Sequence, residues 1–378
     1  MAFSSPAALK SEEWIHPREE ERLHRADSAH LSAADRWWVR QQNWLEIRGY
    51  RLRARYRQGW SPSWRVNRTE KWKTEDGQDR MWVSAMDATR ICDNAQVVMK
   101  MLRTKDDSSS EVETARYFSS NLLASDPRNH CVPVFEIIDV PFHDIRLIVM
   151  PRLRPFNDPP FQTFGEVVPF LSQIFEGIAL MHEHSYAHRD CTSLNIMLDP
   201  SRMYPNSFHP IKLDRKLNFR GKAKHFSRTL RPPRYFLIDF GLSKWYAPGV
   251  PARDDPVRGG DKSAPEHRDG FTLCDPFPTD VYYLGNLLRQ EFIQKYREFD
   301  FLEALVAKMV REVPSERPPM DNVVEEIQRI SDRLTEKKLR SRLVRRNEWA
   351  FLRLYLDAKH LLRTARYIAS KVPAMAEP

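Results

Sequence analysis

The chain has 378 residues, 41% of them hydrophobic, enough to bury one large core or two of medium size. Its formal net charge of +9 fits an anionic partner, whether nucleotide, phosphoprotein, nucleic acid or lipid headgroup. The four cysteines, Cys92, Cys131, Cys191 and Cys274, form no C-x-x-C pair. That excludes a zinc site spelled out in the sequence and reads as reduced thiols in the cytosol or nucleus. No apolar run approaches the ~20 residues that cross a bilayer, and MAFSSPAALKSEEW lacks the basic and apolar regions of a secretory signal.

Eight of the ten tryptophans precede residue 83, which gives the first part its own character. Ser32-Ala33-Ala34-Asp35 suits a helix start, with Trp37, Trp38, Trp44 and Leu45 along one side and Gly49 as a stop. In GYRLRARYR, Tyr50, Leu52, Ala54 and Tyr56 alternate with Arg51, Arg53, Arg55 and Arg57. Period two predicts a strand with an apolar face and an arginine face. Arginines among aromatics also suit single-stranded nucleic acid. An amphipathic strand needs the same separation anyway, so nucleic acid is the less expected partner.

Asp93-Asn94 reads as a hairpin turn before an apolar strand, Val97 to Leu102. Leu147 to Met150 is another buried strand, closed by Pro151. Pro169 suits the first turn of a long helix whose Phe170, Leu171, Ile174, Ile178 and Met181 repeat at three and four. Ile196 to Leu198 and Phe236 to Ile238 are short strands on either side of an insertion, residues 200–234. That insertion holds ten Lys or Arg against one acid, Asp214. It reads either as a phosphate-reading element or as a solvated loop. Strands first and helices later predict an α+β fold in two lobes. The stretch 337–346, KKLRSRLVRR, fits a nuclear import signal or the wet face of a helix that buries Leu339 and Leu343. Beyond it, Phe351, Leu354, Leu361 and Leu362 have spacings that call for burial.

The chemistry centres on AHRDCTSLN, residues 187–195. Asp190 and Asn195 gain meaning from Lys100 in the strand VVMK, from Asp239-Phe240-Gly241 and from Ala264-Pro265-Glu266. A lysine in mid-strand is costly unless it meets an anion, either a nucleotide phosphate or a helix carboxylate. Asn195 and Asp239 offer the hard oxygens that suit Mg²⁺. Asp190 is then placed to orient a hydroxyl and accept its proton. Positioning and charge neutralisation are most of what phosphoryl transfer needs.

In this order, VVMK, HRDCTSLN, DFG and APE resemble the motifs of a eukaryotic protein kinase domain. The segment from Asp280 to Gly285 is similar to a further helix motif of that family, and Arg317 stands where the family pairs an arginine with the APE glutamate, here Glu266. WSPSW, DATRICD, SDPRNHCVP, MYPNSFHP and YFLIDFGLS further resemble an expanded group of kinase-like proteins of mushroom-forming fungi, in which the basic insertion recurs.

The resemblance implies a bilobal α+β fold: an N-terminal extension over 1–80, a small β-rich lobe over 81–150, a larger helical lobe over 151–333 and a basic helical extension over 334–378. It implies ATP and Mg²⁺ as cofactors and a protein as substrate. The phosphates fall to Lys100, and the partner of Lys100 is Glu111, whose spacing fits better than that of Glu113. Met150 becomes the gatekeeper, and Pro151, Arg152 and Leu153 the hinge that meets adenine. Asp190 is the catalytic base, Arg189 a reader of the activation segment, and Asn195 and Asp239 the metal ligands.

The sequence departs from that pattern in several places. SAMDATRICD, ahead of Lys100, contains no glycine, although glycine lets backbone amides approach phosphate. Thr192 and Leu194 stand where the family places a cation for the transferring phosphate, which a basic residue of the insertion could replace. Gly259 occupies the position of the family's threonine. These departures keep a second expectation open, a nucleotide-binding or scaffolding pseudokinase.

Overall fold

The computed structural model of the chain describes residues 31–104, 109–257, 261–268 and 270–375. It is a mixed α+β protein with antiparallel sheets. Two compact units divide the sequence between Gln96 and Val97.

In the first unit, helix α1 (Ala33–Ile47) opens on a capping box. Ser32 Oγ accepts from the Asp35 amide at 3.0 Å, and the Asp35 carboxylate accepts from the Ser32 amide at 3.1 Å. Trp38 and Leu45 are buried, whereas Trp37 and Trp44 are half-buried. Gly49, at φ +91°, ends the helix as expected. Strand β1 (Tyr50–Leu52) pairs antiparallel with β2 (Ala85–Arg90).

The strand expected to run to Arg57 stops at Leu52, and a 3₁₀ turn takes Ala54–Tyr56. That turn breaks the alternation: Arg55 is fully buried and Ala54 exposed. The cause is a group of acids downstream. Arg53 pairs with Asp87 at 2.8 Å and Glu75 at 3.4 Å, while Arg55 pairs with Asp79 and donates to the Asp76 carbonyl at 3.0 Å. Arg53 and Arg55 are therefore committed inside the unit, while Arg51 and Arg57 stay exposed.

In the second unit, β3 (Gln96–Arg103) is followed by helix α2 (Ser109–Phe118), β4 (Glu136–Asp139) and β5 (Ile145–Pro151). Strand β5 lies between β3 and β4, antiparallel to both, with Lys100 opposite Ile148 and Val98 opposite Met150. A smaller sheet joins β6 (Arg154–Pro155), β8 (Ile196–Leu198) and β9 (Tyr235–Leu237), and β7 (Tyr186–Ala187) pairs with β10 (Lys244–Trp245).

Helix α3 (Phe164–Glu183) is the centre of the core. It starts before Pro169, which sits inside it, because Thr163 already has the extended backbone of an N-cap. By length and mean hydropathy alone it is long and apolar enough to cross a bilayer, but 83% of its most apolar stretch is buried within the protein, as in a core helix. Its Phe170 stacks on Phe156 with ring centres 4.8 Å apart. Longer helices α4 (Pro276–Leu288), α5 (Asp300–Met309), α6 (Met320–Arg333) and α7 (Ala350–Ala369) follow, with a short helix, Glu336–Arg340, between the last two.

The basic insertion is folded, not simply a solvated loop. Met203, Tyr204, Phe208 and His209 are buried. Arg152 donates to Ser207 Oγ and the Phe208 carbonyl, each at 2.7 Å, and its guanidinium lies 4.6 Å from the Phe208 ring centre. In 337–346, Leu339 and Leu343 are buried, and Arg342 pairs with Glu348 and Asp357, each at 2.6 Å. This is the packed form of the two readings given for that stretch. The apolar residues of α7 are not covered by any described residue; Phe351, Leu354, Leu361 and Leu362 are all exposed.

Candidate active site

Lys100, Glu111 and Asp239 converge. Lys100 lies on the sheet face shared by Val98, Ile148 and Met150, since paired residues of an antiparallel ladder point the same way. Its Nζ stands 2.5 Å from Glu111 Oε1 and 2.7 Å from Asp239 Oδ1. Burial alone would drive the lysine toward neutrality, but the two carboxylates outweigh it and hold its pKa above the ordinary value. The same ammonium keeps Asp239 below the usual carboxylate range against the opposing effect of burial. Of the two candidate glutamates, Glu111 is the one turned inward on α2, and Glu113 is exposed. Asp239 has left-handed backbone, φ 63°, which aspartate tolerates. A Cβ on Gly241 would lie 3.3 Å from Asp239 Oδ1 and 3.4 Å from Glu111 Oε2, so glycine keeps this corner open.

Asp190 and Asn195 form the second half. Asn195 Nδ2 donates to Asp190 Oδ2 at 2.7 Å and to the Asp190 carbonyl at 2.9 Å. The asparagine amide is thereby oriented, with its oxygen available as a ligand. Asp190 Oδ1 is buried without a hydrogen-bond partner among the described residues. Burial raises the Asp190 carboxyl to about 6; the Asn195 bond opposes this, and Asp239, Asp280 and Asp261 add to it. An oriented carboxylate with one lone oxygen and a raised pKa is suited to accept a proton near neutral pH. The Ile238 amide donates to the Asn195 carbonyl at 2.9 Å and so ties the loop to the residue before Asp239.

Asp280, fully buried in α4, anchors this loop from below. It accepts from the backbone amides of His188 and Arg189, both at 2.8 Å, and His182 Nε2 lies 3.0 Å away. Its anchoring role was missed in the sequence; the available signal was an acid inside an otherwise apolar helix.

Arg189, at φ 66°, turns its guanidinium toward a different segment. It lies 3.4 Å from Asp254 and donates to the Asp255 carbonyl at 2.9 Å. Asp254 also takes Lys244 at 2.8 Å and the Tyr246 hydroxyl at 2.9 Å. Ser243 is buried and donates to the His188 carbonyl at 3.1 Å. Further along, Arg317 meets both oxygens of Glu266 at 2.7 Å, and Thr279 donates to the same carboxylate at 2.7 Å. The arginine side chain is completely buried.

The remaining expected residues fall as follows. Met150 and Pro151 end β5, and Leu153 packs partly buried against the core. The Arg152 side chain is spent on the insertion. Thr192 donates its amide to the Asp190 carbonyl at 2.8 Å, and Leu194 is 79% exposed. None of the insertion's ten Lys and Arg is hydrogen-bonded or ion-paired to Asp190, Asn195 or Asp239 among the described residues; Arg228, for example, is spent on Tyr235 and Phe156. The glycine-free stretch belongs to the first unit, where Asn94, at φ 58°, makes the expected turn. Gly259 lies outside the described residues.

No cluster of three or more His, Cys, Asp or Glu side chains suited to a metal is present among the described residues. A hard divalent cation that keeps its water and phosphate ligands needs fewer. The Asn195 amide oxygen and the Asp239 carboxylate fit such an ion, with the unpartnered Asp190 oxygen left free. No family model matches the chain, and no curated protein matches it.

Proposed function

We propose that the chain is a protein kinase of bilobal fold that transfers the γ-phosphate of ATP to a protein hydroxyl, of the Ser/Thr class. The observation that carries this reading is the placing of Lys100, held by Glu111 and Asp239, in one unit with the oriented Asp190–Asn195 pair. ATP, bound with Mg²⁺, supplies the phosphoryl group and a diphosphate leaving group. Lys100 brings positive charge to the nucleotide phosphates, and Glu111 fixes its Nζ. Asn195 and Asp239 offer oxygen to the cation. Asp190 Oδ1 orients the acceptor hydroxyl and takes its proton as the new P–O bond forms. Met150 to Leu153 would meet the adenine.

A second reading, a pseudokinase that acts as a nucleotide-binding or scaffold module, draws on the lack of glycine ahead of Lys100 and of a cation at Thr192 and Leu194. Calorimetric titration with ATP, with and without Mg²⁺, tests the nucleotide half. The proposal expects binding that strengthens with Mg²⁺ and is lost in Lys100→Ala. No binding by the intact chain overturns the kinase reading and leaves a scaffold without nucleotide; binding without transfer leaves a nucleotide-binding pseudokinase.

A further inference from the structure

Helix α7 carries its amphipathic pattern turned outward. Its inner side is polar: Asp357 pairs with Arg342 at 2.6 Å, His360 Nε2 lies 2.9 Å from the Arg340 carbonyl, and the Tyr367 hydroxyl lies 2.7 Å from Ser227 Oγ. Its outer side is a stripe of Phe351, Leu354, Tyr355, Leu361, Leu362 and Ile368, each between 56% and 88% exposed. Spacings of three, four, ten and eleven residues put these side chains on one face. Among the described residues, the stripe itself lies uncovered, while the polar side meets the end of a short helix, Glu336–Arg340, at the Arg340 carbonyl.

The charge around this stripe limits what covers it. Lys359 and Arg366 are exposed along one edge. The only acid between Ala350 and Ala369 is Asp357, already paired with Arg342. The Ser227–Tyr367 contact also ties α7 to the insertion, with its ten Lys or Arg and single acid. The occupant must therefore be apolar at its centre and negative at its margin. A second copy would bring Lys359 and Arg366 against their own kind.

We propose that α7, with the insertion beside it, docks the protein on an anionic phospholipid membrane. The helix would lie in the interfacial plane, its stripe at the boundary of headgroups and acyl chains. Lys359 and Arg366 would reach the phosphates over their own methylene stems. Each such cation near an anionic surface changes the partition roughly fivefold. The inference concerns the surface and stands apart from the kinase reading.

Flotation of the full chain with phosphatidylcholine vesicles, and with vesicles that also contain phosphatidylserine, tests it. Binding is expected to the second kind only, and to weaken as salt is raised. Lys359→Glu with Arg366→Glu should lower binding roughly 25-fold or more. Leu361→Glu with Leu362→Glu should abolish it even at low salt, with an unchanged melting temperature because both side chains are exposed. Failure of the unaltered chain to float with phosphatidylserine vesicles overturns the proposal. So does equal binding by the leucine variant, or a dimer in sedimentation that this variant dissociates. Capture of an acidic amphipathic peptide by a chain that ignores vesicles overturns it as well.

Discussion

Asp254 stands 3.4 Å from the Arg189 guanidinium, and the same carboxylate takes Lys244 and the Tyr246 hydroxyl. A genetically fixed negative charge thus holds the segment that follows Asp239-Phe240-Gly241. Hydrogen bonds to charged groups are worth about 1.5–3 kcal/mol, enough to shift a loop population tenfold or more. Phosphatase treatment should leave transfer activity unchanged. Asp254→Ala should lower it about tenfold and speed proteolytic cleavage between 244 and 257. A large loss of activity on phosphatase treatment would contradict this ordering.

Lys100 distinguishes two neighbouring glutamates. Removing the charge at Glu111 leaves the ammonium with Asp239 alone, so Glu111→Gln should weaken ATP affinity roughly tenfold, about 1.4 kcal/mol. Glu113→Gln, at an exposed site, should stay within about 0.5 kcal/mol of the parent in binding and stability. Equal effects in titration calorimetry would remove Glu111 from its role.

Asp190 titrates near 6 in the folded chain, above its ordinary value, because it is buried near other acids. The native state therefore holds this proton more tightly than the unfolded chain does. Stability from this group is greatest below the ordinary carboxylate pKa and falls as pH rises through about 6. Asp190→Asn should raise the melting temperature at neutral pH, and the gain should vanish under acid conditions. Activity should move oppositely, with an acidic limb in kcat/KM near pH 6 as the base deprotonates. A flat profile through that range would contradict the role of Asp190.

The buried Arg317–Glu266 pair should be structural. Arg317→Met leaves a carboxylate with Thr279 alone and should cost about 3–5 kcal/mol. Replacing both residues with apolar ones should cost less than either single change. Denaturant melts of the three variants test this.

What the sequence made legible follows from what is local. Lys100 stands out because it interrupts an apolar strand, whereas Asp190, Asn195 and Asp239 gain meaning only from their order among VVMK, HRDCTSLN, DFG and APE. Glu111 and Glu113 were harder, because a two-residue step turns a side chain to the far side of a helix, and helix phase depends on packing. The arginine strand was misread because the acids that bury Arg53 and Arg55 lie more than 20 residues downstream. The fold of the insertion escaped for the same reason: Arg152 and Phe208 meet across a long stretch of chain. Helix α7 showed its spacing plainly, but not that its polar side would turn inward.

The account rests on Asp190 as the proton acceptor in phosphoryl transfer. Incorporation of label from γ-phosphate-labelled ATP, into generic protein substrates and the chain itself, measures this for the intact protein and Asp190→Asn side by side. The account predicts Mg²⁺-dependent incorporation by the intact chain and a loss of about 10²–10⁴-fold in the variant. Equal incorporation by the two, or none by either, would contradict it.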